Sequence, residues 1–90
     1  MALTTIALPE RLTMADARAT LERLAPLLAA ADQPVIDASA LHDLDSAAVA
    51  VLLACQRQAH ARGKALQVSG APAKLSQLAE LYGVAPLLGL

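Results

Sequence analysis

The 90-residue sequence has no tryptophan, no phenylalanine and a single tyrosine, Tyr82. Stacking on bases or sugars is therefore almost out of reach. The core must be assembled from Leu, Val, Ile and Ala, whose small side chains let helices approach closely. An excess of either charge is also missing: Lys and Arg number 7, Asp and Glu 8, for a formal net charge of -1. With no basic run, nucleic acid is not expected as a partner. The lone cysteine, Cys55, cannot close an intrachain disulfide, in keeping with a reducing compartment. The longest unbroken apolar stretch, Ala47 to Cys55, is nine residues, half of the roughly 18 a membrane span requires, so direct membrane insertion is not expected. The opening residues Met1-Ala2-Leu3-Thr4-Thr5 carry no positive charge followed by an apolar core and a cleavage site, so no secretory leader is expected. Together these features predict a soluble, cytoplasmic chain.

What is abundant is apolar residue. The AVILMFWYC class reaches 57% and charged residues only 17%, which excludes disorder. A chain of this length holds one core, so residues 1–90 are read as a single domain. Thr4 to Leu8 alternates and stops at Pro9, the pattern of a short strand. Thr13 with Asp16 three positions on has the form of a capping box, and Ala17, Leu21, Leu24 and Leu28 then make one helical stripe. Pro26 inside that stripe predicts a kink or break near Arg23 to Ala25. Pro34-Val35-Ile36-Asp37 reads as a buried strand, and Ala65 to Ser69 alternates as a third.

Between the second and third strands, Ala47 to Arg62 is rich in helix formers and closes on His60, Arg62 and Gly63. A last helix opens at Pro72, carries Ala71, Leu75, Leu78 and Tyr82 on one face, and ends at Gly83 and Pro86. The order βαβαβα predicts an α/β fold with a mainly parallel sheet and helices packed on it. Ligands and partners of such sheets meet the carboxyl ends of the strands. That places attention on the loop from Ala38 to Asp45 and on the helix start at Ser46.

The stretch from Asp37 to Ser46 is the densest polar cluster of the chain. Asp45 before Ser46 has a plain structural reading as an N-cap that satisfies free amides and meets the helix dipole. It also has a functional one, a docking spot built from a hydroxyl and the small residues Ala47 and Ala48, switchable by a phosphoryl group on Ser46. Asp37, His42, Asp43 and Asp45 are the candidates for metal ligation or acid–base hydrolysis. Catalytic zinc needs three ligands in fixed geometry, and no HExxH, CxxC or glycine-rich phosphate loop is present. The expectation is no enzymatic activity, no metal and no cofactor. Cys55, among Leu52, Leu53 and Ala59, reads as a buried apolar residue.

In the helix after Ser46, the residues Ala48, Leu52, Cys55 and Ala59 form the stripe that should face the sheet. Val49, Ala50, Leu53 and Ala54 spread apolar surface round the other side of its first half. Either that surplus is a protein-binding patch of Asp45, Ser46, Ala47, Val49, Ala50 and Leu53, or it tucks beneath a neighbouring helix or the tail Leu87, Leu88 and Leu90.

The run from Val35 to Ala48, then an apolar helix, Arg62-Gly63-Lys64, a strand and Ser69-Gly70, resembles the STAS domain of sulfate transporters and anti-sigma-factor antagonists. The likeness runs from about Thr4 to Leu88. Anti-sigma-factor antagonists carry D-S-S-G at this helix start, the second serine being phosphorylated by a kinase. Here Asp45-Ser46-Ala47-Ala48 puts Ala47 at that position, and Ser46 matches the first hydroxyl. A D-[ST]-small-small start on a short chain, with Leu81-Tyr82-Gly83-Val84 ending the last helix, is more like the MlaB group of phospholipid-transport systems. That resemblance implies a non-enzymatic subunit that contacts an ABC ATPase through the hydroxyl after Asp45, in transport that maintains outer-membrane lipid asymmetry. The alternative it implies is an anti-sigma-factor antagonist, with an anti-sigma-factor kinase as partner and Ser46 as phosphoacceptor. STAS domains usually begin with two strands and here one is evident, so the bare sheet edge leaves homodimerisation open.

Overall fold

β-Branched and apolar residues in short runs bounded by proline and polar turns produce three strands: β1 (Leu3–Ala7), β3 (Gln33–Asp37) and β5 (Gln67–Ser69). The computed structural model describes residues 3–90; Met1 and Ala2, part of the expected domain and of the stretch inspected for a leader, lie outside the described residues. The strands form a parallel sheet in the order β1-β3-β5. Because β3 is central, Pro34, Val35 and Ile36 are all buried. Pro34 is compatible with this place because pairing with β5 begins one residue later, at Val35 opposite Gln67. Ala65 and Leu66, expected in the third strand, precede it, with Leu66 buried in the core.

Two further strands were invisible to periodicity. β2 (Arg11–Leu12) and β4 (Asp43–Leu44) pair in parallel, Arg11 opposite Asp43 and Leu12 opposite Leu44. They lie beyond the carboxyl ends of β1 and β3, and both leucines are buried. The Glu10 carbonyl anchors this ladder, accepting the amides of His42 at 3.0 Å and Asp43 at 3.1 Å.

Helix α1 (Ala17–Ala30) buries Thr20, Leu24 and Leu28, with Ala17 and Leu21 half-covered. The capping box forms in one direction. The Asp16 carboxylate accepts the Thr13 amide at 3.1 Å and its hydroxyl at 2.9 Å, and Arg11 pairs with it at 3.1 Å. A turn over Thr13 to Asp16 precedes the helix, so Asp16 itself is the N-cap residue. Of the kink or break expected near Arg23 to Ala25, the break does not occur: α1 runs through Pro26. Pro26 and Glu22, whose carbonyl loses its donor, both sit on the exposed side where water can replace the bond, while Leu24 and Leu28 hold the helix to the core.

Helix α2 (Ser46–Ala61) is the hub, packing on α1 along one flank and on α3 (Ala73–Leu81) and α4 (Ala85–Leu88) along the other. Pro72 is the N-cap of α3 and not its first residue. Leu75 and Ala79 are its buried residues, and Tyr82, expected on the core face, lies past the helix end, exposed. Pro86, read as a terminator, instead sits in the first turn of α4, where its missing donor costs nothing. Element order, layering and strand direction match the α/β expectation. The additions are two strands of two residues and one terminal turn of helix, each too short for a pattern to declare it.

Candidate functional site

The loop leaving β3 is organised by side chains that bond the backbone around them. The Asp37 carboxylate accepts the Ser39 amide at 2.9 Å, a two-residue Asx turn that directs the chain away from the sheet. The Ser39 hydroxyl and amide hold the Asp37 carboxyl below its ordinary range. Behind this turn, Gly70 adopts φ of +65°, and a Cβ there would come within 2.9 Å of Ser39 Cβ and 3.2 Å of its backbone. The exits of β3 and β5 can approach this closely only with glycine at that position. His42 Nδ1 lies 2.9 Å from the Glu10 carbonyl, so the ring N–H at Nδ1 donates to it.

Asp45 ends this loop and begins α2. One carboxylate oxygen, Oδ1, accepts the Ala47 amide at 2.8 Å as an N-cap, and the other, Oδ2, accepts the Met14 amide at 3.1 Å. The same carboxylate thus starts the helix and fastens the turn between β2 and α1 beside it. This is the structural reading of Asp45, extended by a long-range bond that sequence spacing does not reveal. Asp37, His42 and Asp45 are engaged by the backbone in this way, and among the described residues no group of three or more His, Cys, Asp or Glu side chains is placed to hold a metal ion.

The residues expected to form a docking patch divide. Ser46 and Ala50 are exposed, and Asp45, Ala47 and Leu53 are half-buried, with Leu53 packed against the core. Val49 is a correction: expected on the open face, it is only 3% exposed. The reason is that α2 is enclosed from two sides, by α1 and by the α3–α4 pair, so its buried arc takes in Val49 and Val51 as well as the sheet-facing stripe. Leu88 is buried and Leu90 packs on the core, so the tail covers part of the surplus. What stays open is a stripe at helical spacing, Ser46, Ala50, Leu53 and Arg57.

Two residues beside that stripe were not identified from sequence. Met14 is 77% exposed, and its amide is tied to Asp45 at the helix start. Leu87 is 59% exposed and borders Leu53. Nothing in the pattern could have located Met14, because its position depends on the β2–β4 ladder. Leu87 was legible only as one of several tail leucines. Cys55 is buried, and burial pushes its thiol up to about 11, as expected of a core residue and not of a nucleophile. No helix of the described residues is long and apolar enough to cross a membrane.

A family model described as "Mlab, STAS domain" matches residues 2–89. Among solved structures, the chain is similar to an anti-sigma-factor antagonist (STAS) domain protein from Planctomyces limnophilus, with a TM-score of 0.81 and 11% sequence identity over 96% of this chain and 79% of that one. At that identity the likeness speaks for the fold. No curated protein sequence matches.

Proposed function

The chain belongs to the STAS domain family, in its Mlab form, and from that premise we propose that it is a non-enzymatic subunit that docks on the ATPase of an ABC transporter moving phospholipid, on the cytoplasmic side. STAS domains are in general regulatory, protein-interaction modules. The observation that supports the finer reading is the open stripe of α2: Ser46, Ala50 and Leu53, flanked by Met14. Small side chains let a partner's backbone come close, Met14 and Leu53 offer apolar area, and the Ser46 hydroxyl supplies one directional hydrogen bond to set register. Binding that favours one state of the ATPase assembly would stabilise that state without chemistry by this chain.

Asp45 and Ala47 serve this face indirectly, the first by holding the Met14 turn and the helix start, the second as the small residue beside Ser46. A phosphoryl group on Ser46 would add about -1.5 to -2 charge next to the Asp45 carboxylate, which works against a phosphorylation switch there. The test is co-purification of the tagged chain with its cognate ATPase. Ala50→Arg is the cleaner probe, since Ala50 is exposed whereas Leu53 also packs on the core. Wild type should retain the ATPase and the variant should lose it with an unchanged melting temperature. Equal recovery of the two would remove the docking face.

A further inference from the structure

One turn further along the same stripe, Leu53, Gln56, Arg57 and His60 of α2 and Leu87 of α4 line an open cleft of about 370 Å³. Its two leucines form apolar walls, and the exposed Arg57 guanidinium and His60 imidazole stand on its rim. Leu87 is held over the helix by Gln56, whose Nε2 donates to the Leu87 carbonyl at 3.0 Å. The Oε1 of Gln56 is buried and has no hydrogen-bond partner among the described residues.

Arg57 makes no ion pair among the described residues. No Asp or Glu occurs between Ser46 and Ala79, and seven of the eight acidic residues lie at or before Asp45, whereas four of the seven Lys and Arg lie after it. The ion pair found among the described residues is Arg11 with Asp16, far from Arg57 in sequence. A chain that is close to neutral as a whole therefore presents an apolar cleft with the Arg57 guanidinium on its edge and, among the described residues, no carboxylate paired with it.

We propose that this cleft seats an acidic amphipathic helix of a protein partner, with an apolar side chain between Leu53 and Leu87 and a carboxylate one turn away against Arg57 and His60. The proposal rests on the docking reading above, with which it is continuous through Leu53, and it names the chemistry of the segment the partner brings. Concavity favours a protruding side chain over the plane of a membrane.

The experiment measures the affinity of the purified chain for its cognate ATPase at about 50 and about 300 mM NaCl, for wild type, Arg57→Glu, Arg57→Lys, His60→Glu and Ala50→Arg. Arg57 and His60 are exposed, so all variants should fold; the Arg57 and Ala50 variants should melt with wild type, and His60→Glu, an acid in the last turn of α2, slightly below it. Arg57→Glu should weaken binding about tenfold or more at low salt and flatten the salt dependence, with Arg57→Lys retaining most of both. Ala50→Arg should abolish binding at either salt. Unchanged affinity and salt dependence in Arg57→Glu and His60→Glu, with Ala50→Arg inactive, would overturn the cleft proposal and leave the docking face standing. Undiminished binding by Ala50→Arg would take the docking face, and this proposal with it. Flotation with phosphatidylglycerol vesicles that depends on Arg57 would assign the cleft to a lipid surface and likewise overturn the proposal.

Discussion

Replacing Asp45 by asparagine separates the two tasks of its carboxylate. Asparagine is as good an N-cap as aspartate, so its oxygen can keep the Ala47 amide, 2.8 Å away in the native protein. The other arm becomes an NH2 group, which cannot accept the Met14 amide now held at 3.1 Å. The bond lost is partly solvated, so the cost is that of one ordinary hydrogen bond, about 1 kcal/mol, and for a domain of this size the melting temperature should fall by about 4–8 °C. Asp45→Ala also removes the cap and the charge at the positive end of the helix dipole, so its total cost should be about 2–3 kcal/mol.

Urea titrations of the two variants and wild type, followed by circular dichroism, give the stabilities. Amide exchange locates the loss: Asp45→Asn should deprotect Met14 while leaving Ala47 nearly as protected as before. If Asp45→Asn matches wild type in stability and in Met14 exchange, the bond between the helix start and the β2–α1 turn contributes nothing and the argument for it fails.

Gly70→Ala must place a methyl against the Ser39 backbone at positive φ and should cost about 2–4 kcal/mol, whereas Gly83→Ala, at φ +73° with open space around its Cβ, should cost about 1 kcal/mol. Equal thermal shifts for the two would refute the close approach of β5's exit to the Asx turn. Cys55, fully buried and with its thiol pushed up to about 11, should stay unreactive toward Ellman's reagent at pH 8 until the chain unfolds; rapid labelling of the native protein would contradict its burial. Asp16 is held below its ordinary 3.8 by the Thr13 amide and hydroxyl and then by Arg11. A carboxyl depressed in the folded state contributes stability above its unfolded pKa and loses it as pH falls through the folded value. Wild type should therefore exceed Asp16→Asn in stability at neutral pH and converge on it below about pH 3.8; a constant gap across an acid titration would contradict the bonding at Thr13.

Local pattern alone was enough for the order of the long elements, the parallel sheet, the N-cap at Asp45, the burial of Cys55 and the polar loop at the carboxyl end of β3. Each depends on residues within a few positions of one another, where side-chain alternation, capping and helical spacing act directly. The α2 patch was legible only in part: Ser46, Ala50 and Leu53 lie on the open stripe, but Val49 is covered because two flanks of the helix are occupied by partners far away in sequence.

Pro26 shows the same limit from the other side. Its local penalty is real, yet the burial of Leu24 and Leu28 outweighs it and α1 continues. Met14, the β2–β4 ladder and the Leu53–Leu87 cleft exist only once residues 30 or more positions apart have come together. A single strand or helix specifies which of its faces is apolar, while which part of that face remains open is decided by what the rest of the chain packs onto it.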